Sequence, residues 1–297
     1  MQSRQKGSFL VIAAALLWST GGTMARFLHV ADPWVVISWR SFFAVMFLLG
    51  FMLFSDGPRE TVNLFRRMGR AGLGVAICFA IASTSFVVAM QYTTIANILL
   101  IQAGTPLIAA LMAWFFFGEK VTTETKFAIA AVIAGIGIMV SETFSGHISP
   151  IGDGLALLIA IVYASATVIT RHHHEVRMMP AVCLAIILAG AFASMHVSSF
   201  AVSSHDLFWL VLFGAVNLGL GLACFTMGVR LIPAAFAAVL GTLEPATGPV
   251  WVWLVHGEVP SPRTIIGGAV VFVALFIHLL MEWRRRPDDP TEQLFTV

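Results

Sequence analysis

The chain has 297 residues, 59% of them hydrophobic and only 11% charged, with a mean hydropathy of +0.91. Soluble domains carry about 25% charged residues, so an ordinary soluble fold is excluded. The formal net charge of +2 gives no ground for a nucleic-acid partner, and none is expected.

A helix crossing the ~30 Å hydrocarbon core needs roughly 20 mostly apolar residues. The chain accommodates ten such segments and little else. In order they are Ser8–Leu28, Trp34–Phe54, Gly69–Gln91, Ile95–Phe117, Lys126–Thr143, Gly152–His172, Met178–Phe200, Leu207–Arg230, Pro233–His256 and Arg263–Trp283. The first lacks a small-residue cleavage site and reads as a retained helix. Short loops such as Asp32-Pro33, Asp56-Gly57-Pro58 and Pro260-Ser261-Pro262 separate the segments, and the tail 287–297 reads as disordered. Cys78, Cys183 and Cys224 all lie inside apolar runs, which argues against disulfides, redox chemistry or a cysteine metal site. With the N-terminus cytoplasmic, 14 of the 17 Lys and Arg fall at inner loops and ends. Only Arg26 and Arg263 fall outside, and Arg40 lies within a segment. That asymmetry sets the orientation and places both termini in the cytoplasm.

The segments repeat. Pro106, Trp114 and Gly118-Glu119 return 139 residues later as Pro245, Trp253 and Gly257-Glu258, and Ala15–Arg26 aligns with Ala160–Arg171. The expectation is an all-α integral membrane protein of ten transmembrane helices. It divides into a first five-helix repeat (1–147) and a second (148–286). Five is odd, so the second repeat must be inverted, which is the physical basis of alternating access.

The residues Ala15–Ser19 (ALLWS), Arg40–Ala44 (RSFFA), Thr105–Lys120 and Leu243–Glu258, in this order and spacing, resemble the drug/metabolite transporter superfamily. More narrowly the chain is similar to its ten-helix EamA-type branch, and within that to exporters of aromatic and other amino acids. One departure is that the seventh segment has no arginine to match Arg40. The resemblance implies a multi-pass protein of the bacterial inner membrane, with the bilayer and a small molecule, an amino acid or related metabolite, as its partners. It implies no cofactor.

Several residues could carry the function. Pro106 removes an amide donor in the fourth segment, and Pro245 and Pro249 do so in the ninth. With Gly248 between the last two, these are candidate hinges or edges of a cavity. Glu244 is the only acid near the middle of a predicted helix, and must face the bundle interior. It is read as a proton-coupling group, as the partner of a substrate ammonium, or as a structural acceptor. Arg40 lies about 9 Å from its helix start. It either snorkels to the outer interface or binds freed carbonyls or a carboxylate. Trp18 and Tyr163 hold matching mid-helix positions and could flank a central cavity. Tyr92, Asn97, Gln102, Thr105, Asn217 and Thr242 supply further polar groups for substrate, or serve as glue between helices. Trp34, Trp114, Trp209 and Trp283 read as interfacial anchors. His172-His173-His174 reads as a solvated inner-loop cluster rather than a metal site, because adjacent helical residues point in different directions. HExxH, GxSxG and Walker patterns are absent, so no catalytic residue is assigned, and ATP-driven transport and the commonest hydrolases drop out. An embedded enzyme or a channel stays as the rival from another class.

Overall fold

A computed structural model describes residues 2–118, 123–141, 149–173, 177–232 and 234–284. Glu119, Lys120, His174 and the tail 287–297 lie outside the described residues, as does the side chain of Trp283. The elements are α1 (Gln2–Ser19), α2 (Gly21–Arg26), α3 (Pro33–Ser55), α4 (Gly57–Arg67), α5 (Gly69–Ala89), α6 (Ile95–Gln102), α7 (Thr105–Phe117) and α8 (Thr123–Val140). They continue with α9 (Pro150–His172), α10 (Met178–Ser194), α11 (Ser204–Val211), a π-helical segment Leu212–Leu220, α12 (Gly221–Gly228), α13 (Ala234–Gly241), α14 (Leu243–His256) and α15 (Pro262–Arg284). No strand occurs among the described residues. Among the described residues seven helical stretches are long and apolar enough to cross a membrane, and Thr125–Val140 and Met179–Ser194 are shorter apolar helices. Large apolar side chains point outward from the bundle, among them Phe54 at 94% and Phe115 at 75% exposed, which suits lipid rather than water.

Local chemistry explains where the helices begin and end. Asp32 accepts the Trp34 N–H at 2.8 Å and is followed by Pro33, which is pre-set for the first turn. Thr94, Ser149 and Ser203 cap α6, α9 and α11 in the same way. Gly118 and Gly257 end α7 and α14 with φ of 65° and 68°, a left-handed turn open to glycine. The repeated Gly-Glu pair is therefore first of all a repeated helix stop. One element was not expected from the sequence: the loop at Asp56-Gly57-Pro58 turns into the helix α4. Gly57 has φ +77°, Pro58 occupies the first turn, and Thr61 Oγ1 donates to the Gly57 carbonyl at 2.8 Å.

Three predicted segments are broken. The fourth breaks between α6 and α7, and the ninth between α13 and α14, in each case just ahead of the proline. The first breaks at Thr20 without any proline. There Thr20 Oγ1 donates to the Leu17 carbonyl at 2.6 Å and Ser19 Oγ to the Leu16 carbonyl at 2.7 Å. Such hydroxyl bonds compete with the helix ladder. The Asn217 amide, from the π-helical segment, also donates to the carbonyls of Leu17 at 2.6 Å and Trp18 at 3.3 Å. Gly21 and Gly22 let the bent piece sit close, since a Cβ at Gly22 would meet Ile95 Cγ2 at 2.5 Å.

The packing has the symmetry of the repeat. Exchanging the halves of the chain converts the α5–α9 pairing into α12–α1, α5–α10 into α3 against the π-helical segment, and α7–α9 into α14–α1. The pairs α3–α10 and α8–α15 map onto themselves. The breaks follow this symmetry in the fourth and ninth segments but not in the first, whose counterpart α9 is continuous.

One face of the bundle gathers many helix ends through specific contacts. Arg26 bonds Glu258 at 2.9 Å and the Met90 carbonyl at 3.3 Å, Glu258 bonds the Ile95 amide at 2.9 Å, and Asp206 bonds the His29 amide at 2.8 Å. Trp34 stacks on His196 at 4.8 Å, and Arg263 bonds the Ser141 carbonyl at 2.8 Å. On the opposite face Arg177 pairs with Asp56 at 3.2 Å.

The break in the first segment yields a prediction. Replacing Asn217 with leucine leaves the Leu17 carbonyl with Thr20 alone and takes the amide donor from the Trp18 carbonyl, and an unsatisfied buried group costs about 1–3 kcal/mol. The expected outcome is a clear drop in melting temperature of the purified protein in detergent. Asn217→Gln should recover less than half of it, because the longer side chain cannot keep both contacts.

Candidate functional site

A cavity of about 1390 Å³ occupies the centre of the bundle. At one end its lining includes Asp56, Thr170, Arg177 and Arg230, at the ends of α3, α9, α10 and α12 on the Asp56 face. Inward it reaches Gly21, Leu99, Gln102, Thr105, Pro106, Thr242, Glu244 and Pro245, at or beside the three helix breaks. The breaks are what admit polar side chains here. Gln102 ends α6 and Thr105 begins α7, while Thr242 and Glu244 flank the start of α14.

Two aromatic pairs face this space from matching places in the repeats. Trp18 lies 5.1 Å from Phe225, and Tyr163 lies 5.1 Å from Phe79, centroid to centroid. Tyr163 interacts electrostatically with both Arg40 and Glu244, so all three share one region of the cavity. Arg40 is 6% exposed and its guanidinium carbon sits 4.4 Å from the centre of the Phe213 ring. It does not snorkel to an interface. Arg40 Nε, Trp18 Nε1, Gln102 Nε2 and Thr105 Oγ1 are buried and have no hydrogen-bond partner among the described residues.

Toward the Glu258 face the cavity is shut. The Glu258 carboxylate takes Arg26 Nε on one oxygen and the Ile95 N–H, the first amide of α6, on the other. An anion at a helix N-terminus is favoured by the helix dipole. His256 Nε2 approaches the Thr23 carbonyl at 3.0 Å, and Phe27 stacks on Trp209 at 4.2 Å and meets the His256 ring at 4.6 Å. Trp209 is thus part of this plug as well as near a helix end.

The structure brings together most of the sequence-derived candidates. Trp18, Arg40, Gln102, Thr105, Pro106, Tyr163, Asn217, Thr242, Glu244 and Pro245 all line the cavity. Four do not. Tyr92 is 40% exposed in the turn after α5, which ends at Ala89. Asn97 is fully buried near the Glu258 face, where its amide donates to Asp153 and, at 3.1 Å, to Thr93, tying α6 to the start of α9. Gly248 serves close packing: a Cβ there would collide with Leu99 Cδ1 where α14 crosses α6. Pro249 lies inside α14, away from the cavity lining. Asn217 has a double place, lining the cavity while capping the break.

Other residues were not singled out as functional in the sequence. Ser19-Thr20-Gly21-Gly22 forms the unprolinated break, and its Ser-Thr-Gly-Gly composition was the available signal. Arg26 and Glu258 were noted only as a charge and a repeat marker. Their opposite signs at the outer ends of two different repeats were the clue to a pair.

These observations fit what known proteins resemble the chain. The profile of the EamA-like transporter family matches residues 5–141 and again 150–280. A protein of Archaeoglobus fulgidus described as an uncharacterized transporter is 23% identical over 289 residues, covering 94% of this chain and 96% of the relative. The pseudopaline exporter CntI of Pseudomonas aeruginosa is 27% identical over 281 residues, covering 91% of this chain and 94% of the relative. A crystal structure superposes with a TM-score of 0.63 at 17% identity, covering 95% of this chain and 99% of that one, which is a likeness of fold. With two family matches across nearly the whole of its length, the chain is a multi-pass membrane protein of the EamA-like transporter family.

Proposed function

We propose that the protein is a secondary transporter that exports small metabolites, chiefly aromatic and other neutral amino acids, by alternating access of two inverted five-helix repeats spanning 1–147 and 148–286. The observation that carries this reading is one central cavity at the helix breaks, reaching the Asp56 face while the Glu258 face is plugged. The positive-inside distribution makes the Asp56 face cytoplasmic, with both termini there. The state described is then open to the cytoplasm, as an exporter needs in order to load. Bent α2 carries Arg26 into the plug, whereas its straight counterpart in α9 leaves the inner side open. Reversal of that asymmetry is the alternating step.

Amino acids suit a cavity whose inner part has aromatic walls, a buried guanidinium and the Glu244 carboxylate. A larger solute is the second reading. It is favoured by the cavity volume of about 1390 Å³, beyond the roughly 300–1,000 Å³ of ordinary small-molecule sites, and by the likeness to a pseudopaline exporter. An enzyme would need a nucleophile–base or paired-acid set, and the cavity lining supplies none that the sequence or geometry marks out.

Three outcomes follow. Proteoliposomes given a panel of radiolabelled amino acids should accumulate one or more of them, with trans-stimulation in counterflow. Flux without trans-stimulation would indicate a channel, and the absence of any amino-acid uptake would remove the substrate assignment. If Glu244 couples protons, Glu244→Gln abolishes pH-gradient-driven accumulation while counterflow continues; an unaltered pH profile rejects coupling at that residue. The third concerns the plug. A partly exposed ion pair is worth up to about 1 kcal/mol. Glu258→Gln should therefore raise labelling of a Leu99→Cys probe by an external impermeant maleimide about fivefold. The probe is placed in a background lacking Cys78, Cys183 and Cys224, and an unchanged rate would show that the pair does not hold the face closed.

A further inference from the structure

Among the described residues, Arg40 is a cavity cation without an ion pair. Arg40 sits in α3 with 6% of its surface exposed, forms no ion pair with a described residue, and leaves Nε unbonded. Its position is fixed from two sides. Gly214 of the π-helical segment packs so tightly on α3 that a Cβ there would collide with the Arg40 carbonyl oxygen. Phe213, fully buried, lies under the guanidinium at 4.4 Å. A ring face attracts the charge but accepts none of its N–H groups. A guanidinium held in this way, partly dehydrated and beside an open cavity, is a prepared site for an oxyanion.

Two neutral groups of the cavity lining also lack partners, Gln102 Nε2 and Thr105 Oγ1, whereas Trp18 Nε1 packs against Gly221. An unpartnered amide N–H beside an unpaired guanidinium favours an anionic ligand group. The charge count selects which one. Arg177, paired with Asp56, and Arg230 line the Asp56 end, so deeper in the cavity Arg40 is the one arginine of the lining; with the Glu244 carboxylate in the same lining, it suits one negative charge and disfavours a phosphate dianion. Tyr163 lines the same cavity as both Arg40 and Glu244.

We propose that Arg40 is the carboxylate anchor of the cavity, assisted by the neutral donors, and that the transported solutes are monocarboxylates whose acid group supplies the missing counter-ion. This rests on the transporter reading and names the substrate group that the site selects. It also explains the cost of the residue: an unpaired buried cation weakens the empty protein and is repaid only on loading.

The test uses the purified full-length protein in nanodiscs. Melting temperature is measured at fixed ionic strength with benzoate, 3-phenylpropionate, phenethylamine, sulfate or chloride. The carboxylates should raise the melting temperature with concentration and phenethylamine should do so far less. Arg40→Met should abolish the carboxylate shift and, without ligand, melt no lower than the wild type. Arg40→Lys should retain the shift with affinity at least tenfold weaker. The proposal is overturned by equal carboxylate shifts in wild type and Arg40→Met, by no carboxylate shift in the wild type, or by a sulfate shift matching that of benzoate. If Arg40→Met does not fold, an undiminished affinity in Arg40→Lys overturns it alone. Carboxylate binding without transport of any amino acid would remove the amino-acid reading and leave the anchor. Amino-acid transport without a carboxylate shift would do the reverse.

Discussion

Inside lipid each backbone N–H and C=O must have a partner, and this constraint shapes the rest of the protein. A continuous helix meets it alone, but offers no polar site. Here three helices are interrupted near one depth, and each interruption is made tolerable in its own way. Pro106 and Pro245 remove a donor and fall within the first turn of the helix that resumes. The break at Thr20 has no proline, and its exposed carbonyls are taken by the Asn217 amide reaching from a π-helical stretch. A π-helical segment widens the helix and commonly marks functional sites. In this chain it does two jobs, presenting Asn217 to α1 and packing Gly214 and Phe213 against Arg40.

The broken helices meet. α6 crosses α14 at Gly248 against Leu99, and α2 presses Gly22 onto Ile95 at the start of α6. The cavity lies on one side of these crossings and the plug on the other. Glu258 joins the two functions, because its carboxylate binds both Arg26 on the bent end of the first segment and the first amide of α6. A rearrangement of either break thus moves a partner of the same carboxylate.

Much of this was legible in the residues. The apolar segments, their repeat and the distribution of cations follow from patterns longer than any local contact, so they survive without coordinates. Trp18 and Tyr163, at matching positions, do face one cavity, and so do Thr105 and Glu244. Other assignments went astray for identifiable reasons. Asn97 has the same composition signal as a cavity residue, but helix rotation turns it toward Asp153. Gly248, between two prolines, reads as a hinge element, whereas its place is set by a neighbouring helix that arrives from the other repeat. The helix α4 was read as a loop because Gly57-Pro58 is as good a helix start as a turn.

By itself the sequence determined the membrane class, the duplicated architecture and the family, because hydropathy, charge and motif order are properties of the chain read along its length. Only the tertiary structure decided which polar groups share a cavity, that Arg40 pairs with no carboxylate among the described residues, and that one face is closed by Arg26 and Glu258, 232 residues apart. Those facts depend on the rotation of each helix about its own axis and on where it bends. Both are set by packing between the repeats, for which spacing along one chain carries no signal.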